Sequence, residues 1–185
     1  MTEAPAVAEL ESRAAAEGVE LRFGRHEALD ALEPLWLSLL DHHVEIGAAG
    51  LPVVSRDLSW PRRRRFYLEL LDQPETVVVT VSRAGDPVGY CVAHVRHGAD
   101  DTWPTGDVIG EIESLAVLAS ERSRGIGTLL LDAAEAHLAS YGARDVTLAV
   151  LVGNTDAIAF YERRGMAPIT INMLRLSKDS GRRPQ

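Results

Sequence analysis

The stretch from Val108 to Gly142 constrains the fold most. "VIGEIESLAVL", Val108 to Leu118, is apolar and partly β-branched, and a short turn, "ASERSRGIG", hands it to an apolar-striped helix running to Tyr141. Gly142 stops that helix as a left-handed cap. A strand that feeds a helix through so short a link lays the helix back on its sheet. The chain must therefore build a sheet covered by helices.

The other segments supply the remaining layers. Val19 to Gly24 alternates as a first strand, and Leu29, Leu32, Trp36, Leu39, Leu40 and His43 recur at helical spacing from Glu27 to about Val44. "GAAGLP" breaks that helix. Asp57 or Ser59 is expected to cap a second one, "SWPRRRRFYLELLD", with Pro61 in its first turn. "TVVVTVSR" and "PVGYCVAHVRH" form a hairpin around Ala84 to Asp86, and "DVTLAVLV" reads as a buried strand. "NTDAIAFYERRG" is a short capped helix ended by Gly165, and "APITINMLRL" is a final strand. The order predicts an α+β three-layer sandwich: a mixed, mostly antiparallel sheet with helices on both faces. One domain is expected over 19–177, after an Ala/Glu-rich flexible extension, 1–18, that is either a frayed helix or a disordered lead, and before a disordered tail, 178–185.

Composition narrows the function. The 185 residues carry a formal net charge of -8, which argues against a dominant affinity for nucleic acid or anionic membrane. Arg62 to Arg65 spread round a helix and so cannot form one basic stripe. Cys91 is the single cysteine, no apolar run is long enough to span a bilayer, and the first residues lack a signal peptide's basic start. A reduced, cytoplasmic setting is expected. No Cys/His cluster has metal-ligand spacing, so no metal is expected.

Chemistry concentrates at the turn. Arg122, Ser123, Arg124, Gly125, Ile126, Gly127 and Thr128 stand where a strand meets a helix, whose first turn has unpaired N–H groups and the positive end of its dipole. Gly125 and Gly127 are expected to take positive φ and admit a ligand closely, and two guanidinium groups add forked donors for phosphate. A pyrophosphate suits that arrangement. A P-loop is excluded, because Ile126 rather than Lys precedes the place of its hydroxyl residue, and so is the dinucleotide fingerprint, because Leu130 stands where it needs glycine. Downstream, Asn154, Ala157 or Ile158, and Tyr161 share one face of the short helix.

Together, Arg122-x-x-Gly125-x-Gly127 after "LAVL" and "V-x-x-N-x-x-A-x-x-F-Y-x-x-x-G" resemble the GCN5-related N-acetyltransferase superfamily, over roughly Val88 to Leu176. The resemblance implies an acetyl-CoA site: pyrophosphate on the 122–128 turn, pantetheine in a V-shaped gap between the strands of Ile112 to Leu118 and Val146 to Val152, and a β-bulge near Leu115 to Val117. Leu115, Ala116, Val117, Asn154 and Tyr161 would line it. Ala119, Ser123 and Met166 depart from residues common in the family.

For transfer to an amine, Tyr161 resembles the family's acid and the Val117 N–H would hold the acetyl oxygen. Glu111 and Glu113, two apart on one strand, point to one face roughly 7 Å apart and raise each other's pKa, as a general base requires. Glu111 sits where some relatives carry a catalytic glutamate, and Glu113 is better placed if the bulge begins early. Either fits. His42 and His43 at the end of the first long helix, with Trp60 and Trp103 beside prolines, are candidate walls of the acceptor site. The implied function is acetyl transfer from acetyl-CoA to a primary amine in a ternary complex, with a homodimer possible. Two alternatives are a non-catalytic acyl-CoA-binding module and a toxin that acetylates aminoacyl-tRNA.

Overall fold

The computed structural model describes residues 3–47 and 51–177. One sheet holds β1 (Glu20–Gly24), β2 (Val77–Arg83), β3 (Asp86–His97), β4 (Val108–Val117) and β5 (Asp145–Leu148), in that order. β1 to β4 pair antiparallel, and β5 lies parallel to β4. The helices are α1 (Glu3–Ala16), α2 (Glu33–Ile46), α3 (Arg56–Leu71), α4 (Ile126–Ser140) and α5 (Thr155–Arg163).

Side-chain alternation divides the sheet into two apolar faces. Leu21, Val79, Cys91, Ala93 and Ile112 pack with Leu129, Leu130 and Ala134 of α4 and with Leu10 and Ala14 of α1. Val78, Tyr90, Val92 and Ala116 pack on the opposite side with Leu35 and Trp36 of α2 and Trp60, Tyr67 and Leu71 of α3. Three layers result, as the sequence predicts.

One irregularity in the sheet sets up the site. In the β3–β4 register Val92 faces Ser114 and Ala93 faces Ile112, so Glu113 is the bulged residue. The bulge is expected near Leu115 to Val117 and falls earlier. It reverses the alternation of β4: Ile112 and Leu115 both belong to the α4 side, while Ser114 and Ala116 turn toward α3. Every side chain beyond it changes face.

Several boundaries differ from expectation. Within the N-terminal segment α1 is ordered on the core: Leu10 and Ala14, one turn apart, bury themselves against it, and Arg13 pairs with Asp132 at 2.9 Å. The first long helix is split into a 3₁₀ turn, His26–Ala31, and α2, with Pro34 in α2's first turn. α3 starts upstream, with Ser55 at the N-cap position but making no side-chain cap bond, so Pro61 lies inside it. Burial of Ser59 and Trp60 extends that helix toward its N-terminus, and the Ser59 hydroxyl accepts from Trp36 Nε1 at 2.9 Å. The final strand is absent among the described residues: 167–177 has no regular element, and Ile169, Ile171 and Met173 are exposed. β-rich composition makes no strand without a neighbour to complete its ladder. The 178–185 tail lies outside the described residues.

Burial of acidic protons makes the fold sensitive to alkali. Desolvation pushes up the Cys91 thiol and the Tyr67, Tyr90 and Tyr161 phenols. The unfolded chain releases these protons near their ordinary values of 9.0 and 10.0, whereas the folded chain keeps them. The unfolded state then binds fewer protons, so stability falls as pH rises through that range. Urea midpoints should drop between pH 8 and pH 10.5. A constant midpoint would contradict the shifts.

Candidate functional site

β4 and β5 stay together only from Ile109–Asp145 to Ile112–Leu148. Beyond the bulge β4 continues to Val117, while the chain after Leu148 leaves the sheet. The strands therefore part into the wedge implied by the sequence, although β5 is shorter than its apolar run. In that wedge the backbone of β4 has an open edge. The Leu118 N–H goes to Val88 of β3 at 2.9 Å, and the Val117 carbonyl accepts from Arg122 Nε at 3.3 Å on the other side. Because successive residues of a strand direct their polar groups to opposite edges, the Val117 N–H points into the wedge.

The turn after β4 closes the wide end. Gly125 is left-handed at φ 79 and forms the N-cap of α4, and no side chain caps that helix. Its first N–H groups therefore point outward unsatisfied by any side chain, an anion-binding arrangement. Gly127 is already helical, which corrects the expected positive φ. Its value is room: an added Cβ would meet only Phe160, at 3.7 Å, and Val117, at 4.0 Å. Arg122 ties the turn to β4, and Arg124, exposed, lies 3.6 Å from Glu121, which Arg83 also holds.

Ser123 carries a positive φ of 61. That conformation costs a residue with a Cβ about 1–2 kcal/mol. Ser123→Gly should therefore stabilise the fold by roughly 0.5–1 kcal/mol after glycine's entropy cost, without weakening ligand binding. Urea unfolding tests this, and a destabilised variant would contradict it.

α5 borders the wedge. Its N-cap Asn154 accepts from the Ala157 N–H at 3.2 Å, the cap expected from sequence, so one face of that amide is already engaged. Tyr161 packs edge-on against Phe160 at 5.1 Å and joins the core under α4. Burial drives its phenol far above the ordinary range, a weaker acid than the sequence implied.

The opposite face of β4 carries the carboxylates. The alternation of β3 puts His94 across from Glu111, and one ligand-capable atom each from His94, Glu111 and Glu113 lies within 4.8 Å of the others. His94, absent from the sequence reading, comes from another strand, so no spacing along the chain reveals it. Arg63 of α3 ion-pairs with Glu113 and stacks 4.2 Å from the Trp36 ring centroid. Glu113 therefore has its counter-charge, and Glu111 faces the histidine, with Nε2–Oε2 at 4.0 Å.

Two recesses open beside this face. One, of about 270 Å³, is lined by Trp36, Val54, Ser59, Arg62, Arg63, Phe66 and Glu113. The other, of about 500 Å³, runs along the end of α2 past Leu40, His43 and Val44. His43, half-buried, is held below its ordinary pKa by desolvation, then by His42 and Arg63. His42 lies 3.7 Å from Glu45. A Cβ on Gly153 would lie 2.9 Å from the Ile46 carbonyl, so the end of α2 sits directly beside the loop leading to Asn154.

Other expected walls are placed elsewhere. Trp60 is a core residue, edge-on to Tyr67 at 6.5 Å, because its bulk fills the space between α3 and the sheet. Trp103 is 45% exposed in the loop joining β3 to β4, at the end of those strands away from the wedge. The arginine run is dispersed: Arg63, Arg64 and Arg65 pair with Glu113, Asp30 and Glu69. It offers no basic track of the kind a tRNA acceptor would need. Among the described residues no helix is long and apolar enough to cross a membrane.

Known proteins resemble this chain in sequence and in fold. The acetyltransferase (GNAT) family profile matches residues 39–166. An N-alpha-acetyltransferase of Sulfurisphaera tokodaii is 33% identical over 57% of this chain and 65% of its own length. Mycothiol acetyltransferase of Propionibacterium freudenreichii is 29% identical over 85% of this chain and 46% of its own. The chain thus spans about half to two thirds of the curated relatives it matches. Among solved structures, a GCN5-related N-acetyltransferase from Ralstonia eutropha superposes with a TM-score of 0.68 at 22% identity, over 86% of this chain and 99% of that one. An aminoglycoside N-acetyltransferase in complex with CoA gives 0.65 at 17%, over 86% and 95%. With the parted strands, the uncapped glycine turn and a profile match across most of the chain, the protein belongs to the acetyltransferase (GNAT) family.

Proposed function

We propose that the protein transfers the acetyl group of acetyl-CoA to a primary amine by direct attack in a ternary complex. The observation that carries the reading is the wedge where β4 and β5 part, ending at the uncapped N-terminus of α4. The residues fit the cosubstrate: open N–H groups and Arg122 and Arg124 for a diphosphate, space over Gly127, and the Val117 N–H for an acyl oxygen. Leu115, Ala116, Ser123, Ile126, Thr128 and Asn154 complete that wall.

Acetyl-CoA supplies an activated acyl carbon that an amine nitrogen can attack as the carbon–sulfur bond breaks. Val117 holds the acyl oxygen through its N–H. Glu111, rather than Glu113, takes the ammonium proton, directly or through one water, because Arg63 already engages Glu113. Tyr161 donates its O–H to the departing sulfur. With its phenol raised by burial, it acts as a hydrogen-bond donor that stays protonated across the working pH range.

For the acceptor, the recesses beside Glu113 and His43 are shallow, partly apolar and on the surface, which suits a peptide's α-amine. Curated relatives named N-alpha-acetyltransferases support the same class. A cytoplasmic setting and a homodimer belong to this reading, the second supported by exposed Ile169, Ile171 and Met173. A screen reading thiol release from acetyl-CoA across peptides, amino acids and small polyamines tests it. Stoichiometric acetylated amine supports the proposal, and tight acetyl-CoA binding without turnover on any amine would favour a non-catalytic binding module.

A further inference from the structure

We propose that His94 is a positioning residue that holds the Glu111 carboxylate toward the acceptor amine; this rests on Glu111 being the base. The two face each other across the β3–β4 register. The His94 side chain is 12% exposed and that of Glu111 35%, so the histidine lies behind the carboxylate and the carboxylate meets the solvent side.

The tautomer follows from burial. His94 Nδ1 is a buried atom with no hydrogen-bond partner. A neutral imidazole has one N–H, and at Nδ1 it would be a buried donor left unsatisfied, so it sits on Nε2, the nitrogen facing Glu111. The Nε2–Oε2 separation is 4.0 Å. A rotation of Glu111 moving that oxygen by about 1 Å completes the bond, and the half-exposed side chain is free to make it. The second carboxylate oxygen is then left on the solvent side.

The neighbours leave His94 this one partner. Glu113, on β4 with Glu111, is held by Arg63 of α3. Tyr67 of α3 bonds Ser114 and contacts the Tyr90 hydroxyl at 3.2 Å, which closes that pair on itself. From α2, His43 lies near Arg63, and next to β2 the residue in register with His94 is the buried Thr76, whose hydroxyl is given to the Leu70 carbonyl at 2.6 Å. A divalent cation is the weaker occupant, because the Arg63 guanidinium already neutralises one carboxylate of the cluster.

The test compares His94→Leu, His94→Gln and His94→Asn, each alone and with Glu111→Gln. A peptide acceptor's kcat/KM is followed across pH at saturating acetyl-CoA, with thermal melting as the folding control. A glutamine amide can reproduce the Nε2 donor; leucine and the shorter asparagine cannot. His94→Leu and His94→Asn should lose about tenfold in kcat/KM with a changed acidic limb, and His94→Gln should recover most of it. In the Glu111→Gln background the leucine change should add nothing. If leucine prevents folding, the contrast of asparagine with glutamine carries the same comparison. Equal losses in all folded variants, or a loss that persists beside Glu111→Gln, would overturn the positioning role alone. A Glu111→Gln enzyme at the wild-type rate would overturn the base assignment and this proposal with it.

Discussion

Tyr161→Phe should lower kcat about 10²-fold while acetyl-CoA affinity stays within a factor of about two. The phenol ring is partly buried beside Phe160 and against the α4 core, so removing one oxygen leaves the packing of the ring intact. What disappears is the donor to the departing sulfur. Burial also fixes the pH behaviour. The raised pKa keeps the hydroxyl protonated well above pH 10, so the basic limb of the wild-type kcat profile should contain no step from this group. Pre-steady-state rates from pH 6 to pH 10 check both statements. Wild-type turnover in a folded Phe variant would show that another group or water serves the sulfur.

Local signals made the strand–turn–helix half of the candidate site legible. The glycine turn, the run of β4 and the Asn154 cap each depend on residues a few positions apart, and each stands where the sequence put it. The acceptor half depends on register. Whether Glu111 or Glu113 meets a partner is decided by one bulged residue and by which strand lies opposite, and neither is written in the spacing of β4. Arg63 reads as one of four surface arginines, yet the phase of α3 turns it inward onto Trp36 and Glu113. Trp60 beside a proline reads as a wall of the acceptor site, and its packing against Tyr67 makes it core. α1 reads as either a frayed helix or a disordered lead for a related reason: its apolar seam is narrow, and only packing on α4 gives it a role.

Gly127→Glu should abolish acetyl-CoA binding and leave the fold at least as stable. Gly127 is the second helical residue of α4, where the Cβ has ordinary contacts only. A carboxylate in a first turn is favoured by about 0.3–1 kcal/mol through the helix dipole. Glutamate is also a better helix former than glycine. The same charge stands where the diphosphate would sit and repels it. Loss of binding therefore cannot be assigned to loss of structure. Calorimetric titration of acetyl-CoA into the wild-type protein and the Gly127→Glu variant, with melting curves for both, is the most direct test of the site. One saturable site is expected in the wild type, none in the variant, and no fall in the variant's melting temperature. Equal binding by both proteins would contradict the placement of the diphosphate on the 122–128 turn.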